Sequence, residues 1–428
     1  MLPPKGSADL TQRRTAGLVV TLFGTGLIAA LTLVPHPREI GHALATPLWC
    51  LLCGSLGTED AVLNVLLFLP LGLGLALLGL RWRPALLVTV ATTVLIETLQ
   101  MKVVIGRDAS LGDLITNTLG GSLGFLLYRR WAWVAHPNPS RALRLLGAGC
   151  GLWVAVQTGT AWLLAPSLPR TVYYGQWAPE LGHLETFHGA VLAASINGEP
   201  IPGTRLPESV SARVREALLG DSVVIRVEAT VGPPTEGLAP IFSMYDHQHT
   251  EILLVGQDGR DVEFGIRQRA AAFRLRNPAI ALPETAPPHP GDTIRIATGI
   301  AGKRFFVTAS GAGTTRSRTL GFSPSWGWSF ILPYDDAFGP MTRPLTALWI
   351  GGFMFPLSYW GGRSRAEGRH GRGAKELAAI LLTLVIGLGV VPAAFGLPPV
   401  HWSEWVAALV GVGGGWLLAQ TQGLRTEG

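Results

Sequence analysis

Charge is what this 428-residue chain lacks: 14% of its residues are Asp, Glu, Lys or Arg, against 48% hydrophobic. An ordinary soluble domain carries roughly a quarter charged residues, so a water-surrounded globule is a poor reading and an integral membrane protein a good one. The net charge of +6 would suggest nucleic acid in a soluble chain. Here the basic residues stand in short clusters beside apolar runs, which is how topology signals are distributed, and no nucleic-acid partner is expected. Cysteine is equally scarce, with three residues. Cys50 and Cys53 form a C-x-x-C and Cys150 lies in an apolar segment; small residues packed at a membrane surface is the plainer reading of the pair, and a disulfide or redox pair the alternative.

The apolar runs are long and numerous. Thr15 to Val34 has no charge and follows Arg13 and Arg14; it reads as a retained first span, although Ala43-Leu44-Ala45 imitates a signal cleavage site. Further spans are expected at Ala61 to Leu80, Pro84 to Met101, Leu111 to Leu127, Leu145 to Leu164, Leu345 to Trp360, Leu377 to Phe395 and Trp402 to Leu418. Clusters at Arg81 and Arg83, at Arg129 and Arg130, and from Arg363 through Arg369 to Lys375 all fall on one side if the amino terminus is cytoplasmic.

Between the fifth and sixth spans the pattern changes. Apolar runs shrink to strand length, alternation appears in Val223-Val224-Ile225-Arg226-Val227-Glu228, and turn pairs recur at Asn197-Gly198, Pro233-Pro234, Asp258-Gly259 and Pro290-Gly291. The fold class expected is therefore a multi-pass α-helical membrane protein of about eight transmembrane helices with an inserted all-β sandwich or jelly roll. Its domains are 1–165 with five helices, 166–340 as an extracytoplasmic sandwich, and 341–428 with three helices. Both termini are placed in the cytoplasm.

Chemistry concentrates between Glu59 and Gly124. Asp60 and Asn64 are four apart, Glu97 and Gln100 three apart, and Asp113 and Asn117 four apart, so each pair shares a helix face. Carboxylates in or against hydrocarbon are costly and usually mark a site facing the bundle interior or a water-filled cavity. With the topology above, all six converge on the outer leaflet, joined by Arg107 and Asp108 of the linker. Capping of a helix start accounts equally well for Asp60 and Asp113. It does not account for Glu97, which sits near the far end of its span. Gly120 and Gly124 continue the face of Asp113 and Asn117 and would let another backbone approach.

Taken together, D-x-x-x-N with F-x-P-x-G (Asp60, Asn64, Phe68, Pro70, Gly72), I-E-x-x-Q (Ile96, Glu97, Gln100) and R-D-x-x-x-x-D-x-x-x-N-x-x-G-x-x-x-G (Arg107 to Gly124) resemble the VanZ-like membrane family. The resemblance implies a protein of the bacterial cytoplasmic membrane connected with low-level resistance to teicoplanin, a lipid-anchored glycopeptide. The β segment is similar to concanavalin A-like or laminin-G-like jelly rolls, on Ile241 to Asp246, the strand pair around Asp258-Gly259, and Trp326-Gly327-Trp328. That implies binding of glycan or protein.

Three functions follow. The first is recognition, at the outer face, of an amphiphilic envelope molecule, either a lipid-linked glycan or a lipoglycopeptide; its ligand-binding residues are Asp60, Asn64, Glu97, Gln100, Arg107, Asp108, Asp113 and Asn117. The second is an enzyme acting on a polyprenyl-linked substrate through the same acids, which lacks a strong nucleophile or histidine in the motif. The third is proton-coupled transport, for which no inverted repeat is visible. Membrane lipids are partners in each, and no cofactor or metal is called for; His247, His249 and Glu251 read as solvated residues before they read as ligands. A cysteine placed at Asp258 should label from outside intact cells and one at Arg369 only after permeabilisation; the opposite pattern would invert the topology.

Overall fold

The computed structural model describes residues 7–34, 47–104, 110–181, 184–287, 289–311, 313–332, 339–364 and 372–424. Arg107, Asp108, Ala43-Leu44-Ala45, Arg365 and Arg369 lie outside the described residues. By contacts the chain divides once, into 1–137 and 138–428. The fifth expected span, Leu145 to Leu164, lies within the second of these units.

Four helices make the first unit: α1 (Ser7–Thr32), α2 (Gly57–Leu77), α3 (Trp82–Lys102) and α4 (Leu111–Ala135). Helix α2 ends because the chain turns left-handed at Gly79 (φ 86°). The amide of Leu80 returns to the Leu75 carbonyl and that of Gly79 to Ala76, which satisfies carbonyls the helix end leaves free. Helix α4 begins at Ser110, whose backbone is extended and whose Oγ accepts from the Asp113 amide.

Glycine decides how these helices pack. A Cβ on Gly120 would collide with the Val65 carbonyl oxygen, one on Gly124 with that of Leu69, and one on Gly72 with that of Gly121. Helices α2 and α4 therefore touch backbone to backbone. On its other side α2 meets α1 the same way, through Gly17, Gly24 and Gly74. Such small-residue contacts let membrane helices gain dispersion energy where no hydrophobic drive exists between them. Phe68, Leu71, Leu75 and Phe125 fill the space between.

The second unit opens with α5 (Pro139–Leu163), capped by Asn138, whose Oδ1 accepts from the Arg141 amide at 3.0 Å. Eleven strands and two short helices follow. Strands β1 (Tyr173–Trp177), β5 (Leu238–Asp246), β6 (Glu251–Asp258), β7 (Asp261–Ile266) and β8 (Ile280–Leu282) form one antiparallel sheet in that order. The second sheet runs β11 (Thr314–Leu320), β10 (Arg304–Gly311), β9 (Thr293–Ala301), β4 (Ser222–Thr230), β2 (Ala190–Ile196), β3 (Glu199–Pro200). Both sheets contribute to one core, in which Phe264 of β7 packs on Phe305 of β10 with ring centroids 5.6 Å apart. The Asn197-Gly198 signal is a two-residue turn with both residues at positive φ, which joins β2 to β3 in register. Helix α6 (Glu208–Leu219) buries Val214 and Leu218 in this core, and α7 (Arg269–Ala272) is a single turn. Trp326 and Trp328, in a 3₁₀ segment after β11, are buried here as well.

Helices α8 (Thr342–Arg363), α9 (Arg372–Val385), α10 (Val391–Ala394) and α11 (Trp402–Leu424) complete the unit, with a π-helical stretch, Ile386–Val390, joining α9 to α10. Every segment expected to span is helical. Among the described residues, four stretches are long and apolar enough to cross a membrane: Thr11–Thr32, Gly57–Leu77, Trp82–Lys102 and Gly373–Ala394. Helix α4 falls short because Asp113, Asn117 and its glycines dilute its leucines.

Substituting Gly124 with Val should destabilise the protein by about 1–3 kcal/mol through overpacking. Gly26→Ala, where nothing lies within 4 Å of the added methyl, should not destabilise it. Thermal unfolding of the two variants in detergent compares them; equal melting would remove the close α2–α4 contact from the account.

Candidate functional site

Polar residues of three helices in the first unit meet at the start of α4. Asn64 of α2 donates from Nδ2 to Asp113 Oδ1 at 2.6 Å. Ser110 Oγ donates to Asp113 Oδ2 at 2.8 Å and, as the helix cap, accepts from the Asp113 amide at 3.0 Å. The amide of Ser110 donates to Glu97 Oε2 of α3 at 3.1 Å. Three helices are thus tied through one serine and one aspartate. Asn64, Glu97 and Asp113 are half-buried. A low local dielectric strengthens hydrogen bonds of this kind relative to the same bonds in water.

One turn along α4, Asn117 is 3% exposed, and among the described residues its Oδ1 accepts no hydrogen bond. A buried carbonyl left in that condition costs about 1–3 kcal/mol. Such a cost marks hydrogen-bonding capacity that the described residues do not use up.

The other expected residues are placed differently. Asp60 is exposed at the start of α2, whereas its neighbour Glu59 is buried, at 2% exposure. A helix turns about 100° per residue, so one position in register separates the two environments. Gln100 turns away from the cluster and donates from Nε2 to the Thr32 carbonyl at 3.0 Å, at the end of α1 where carbonyls lack intrahelical donors. It ties α3 to α1. Arg107 and Asp108 lie outside the described residues.

Sequence reasoning passed over Ser110 and Glu59. The signal for Ser110 was present: S-x-x-D immediately before an apolar run is a helix-start signature. Cys50 and Cys53 are joined as a disulfide, with Cα atoms 5.8 Å apart.

Residues 12–133 match the VanZ/LLP1 family model. The VanZ-like domain is therefore α1 to α4, and the match ends before α5. No curated protein and no solved structure matches the chain. Within the VanZ-like domain the hydrogen-bonded residues Asn64, Glu97 and Asp113 each come from one of the three motif segments, so the motifs converge in space as well as recurring along the chain.

In the second unit, Tyr245 donates to Glu251 Oε2 at 3.0 Å, and burial together with the Glu251 charge raises the phenol above its usual range. Asp246 Oδ1 accepts the amides of Gln248 and Thr250, each at 2.8 Å, which closes the turn that carries His247 and His249. Turn closure therefore accounts for this acid and histidine group. Among the described residues no set of three or more His, Cys, Asp and Glu is placed to hold a metal ion.

Ser110→Ala removes the cap and the link to Asp113 together, so it should cost about 1 kcal/mol or somewhat more. Ser110→Thr should keep most of that stability. Melting temperatures in detergent compare them; an Ala variant as stable as the parent would contradict the role given to this hydroxyl.

Proposed function

We propose that the VanZ-like domain recognises an amphiphilic cell-envelope molecule, a lipid-linked glycan or a lipoglycopeptide such as teicoplanin, at the outer face of the membrane. The observation that carries the reading is the convergence of Asn64, Glu97 and Asp113, from three helices, at one half-buried place beside apolar spans. An amphiphile needs both surroundings at once. Carboxylate oxygens accept from the hydroxyl, amide and ammonium donors of a glycopeptide headgroup, and the flanking helices offer hydrocarbon to its tail. Asn117, one turn along and 3% exposed, adds a carbonyl that accepts no hydrogen bond among the described residues. Arg107 and Asp108 of the linker, with Asp60 and Gln100, belong to the proposed contact set by their motif positions.

In this reading the chain crosses the membrane with about eight helices and both termini in the cytoplasm. The two-sheet region is then an extracytoplasmic jelly roll that binds sugar or protein. Its support is the two antiparallel sheets on a common core and the gathering of basic residues beside the expected cytoplasmic ends.

The test uses the full chain in lipid vesicles with teicoplanin as probe. Glu97→Gln and Asp113→Asn keep size and replace the acid by an amide; each should weaken binding at least tenfold, about 1.4 kcal/mol. Teicoplanin affinity within twofold of the parent in both, at equal expression, would overturn the proposal.

A further inference from the structure

The amide end of α4 lies beneath a loop. A helix start leaves four N–H groups without intrahelical acceptors, and here all four are taken. The Ser110 amide goes to Glu97 and that of Asp113 to Ser110 Oγ. The other two are taken by the loop: Leu111 donates to the Leu48 carbonyl at 2.8 Å and Gly112 to the Cys50 carbonyl at 3.0 Å. A Cβ on Gly112 would press against the Leu51 carbonyl oxygen, so the loop sits flush on the helix.

The loop is closed on itself by the Cys50–Cys53 disulfide and by the Cys50 amide bonding to the Pro47 carbonyl at 2.9 Å. Its outer side is open: Trp49 is 78% exposed, Leu51 is exposed, and both cysteines are half-buried rather than enclosed. Partial exposure of both cysteines is what attack by a reductant requires. The carbonyl that caps Gly112 belongs to Cys50 itself, so whatever moves that cysteine moves the cap.

We propose that the Cys50–Cys53 disulfide is a redox latch on the acid and amide cluster, a regulation that rests on the recognition function given above. The reductant is a dithiol, free or within a thiol–disulfide exchange protein. Its thiolate attacks one cysteine Sγ, the Cys50–Cys53 bond breaks, and a mixed disulfide forms while the other cysteine leaves as a thiolate. The second thiol of the reductant then displaces the attacked cysteine and departs as a disulfide. Two electrons and two protons pass to the chain, which ends with two thiols. Once the loop is no longer closed, the Leu48 and Cys50 carbonyls leave the Leu111 and Gly112 amides. The first turn of α4 frays, and Ser110, which holds Glu97 and Asp113 in place, goes with it.

The experiment measures amide hydrogen exchange of the full chain in lipid nanodiscs, before and after dithiothreitol, with the free thiols counted by mass. Peptides covering 110–114 should exchange at least tenfold faster after reduction, and Cys50→Ser/Cys53→Ser should match that rate without reductant. Teicoplanin affinity should fall at least fivefold on reduction of the parent and not change on treatment of the double variant. Exchange within twofold of the oxidised rate, with the thiols shown free, would overturn the latch, as would an affinity indifferent to reduction. Teicoplanin binding absent from every form would count against the recognition function alone, since the exchange arm judges the latch without a ligand.

Discussion

Two backbones in direct contact set the geometry of the acid and amide cluster in the VanZ-like domain. Helices α2 and α4 approach until Gly120 and Gly124 meet the carbonyls of Val65 and Leu69. Only at that separation does Asn64 reach Asp113 at 2.6 Å. In hydrocarbon an unmade hydrogen bond is costly, so the amide and carboxylate reinforce the approach that the glycines permit. Ser110 and Glu97 then bring in α3. The packing and the candidate site are consequently one arrangement, in which the same glycines that allow close contact also fix the distances between acids and amides.

Much of this was legible in the chain. Asp113, Asn117, Gly120 and Gly124 fall at helical spacing on one face, and that face carries both the cluster and the contact with α2. What periodicity cannot supply is the neighbour. Gln100 shares a face with Glu97 by spacing, yet its bond goes to Thr32 at the end of α1. Asp60 matched the motif while Glu59 beside it took the buried position, because the start of α2 turns its first residues inward by an angle that spacing leaves open. Ser110 is readable as a helix cap from S-x-x-D, but that signature carries no sign of its bond to Glu97 on another helix.

The second unit divides the same way. Strand β4 alternates buried and outward residues, since one of its faces is open, and its period of two was visible in the sequence. Strands β5 and β6 are buried almost throughout, so alternation is lost and only turn pairs such as Asp258-Gly259 marked them. Helix α5 packs through Leu146 and Trp153 with Ile350 and Met354 of α8 and Leu388 of the π-helical stretch, although it follows α4 directly in the chain. Order along the chain says nothing of which bundle a helix joins.

A double-substitution cycle tests most directly whether the cluster acts as one unit in the proposed recognition. Teicoplanin affinity would be measured for the parent, Asn64→Ala, Asp113→Ala and the pair, in the full chain in vesicles. A single hydrogen-bonded unit predicts a coupling energy of about 0.5–3 kcal/mol between the two positions. Free energies of binding that simply add, with all four proteins folded, would contradict it and leave the acids and amides as separate groups that happen to be neighbours.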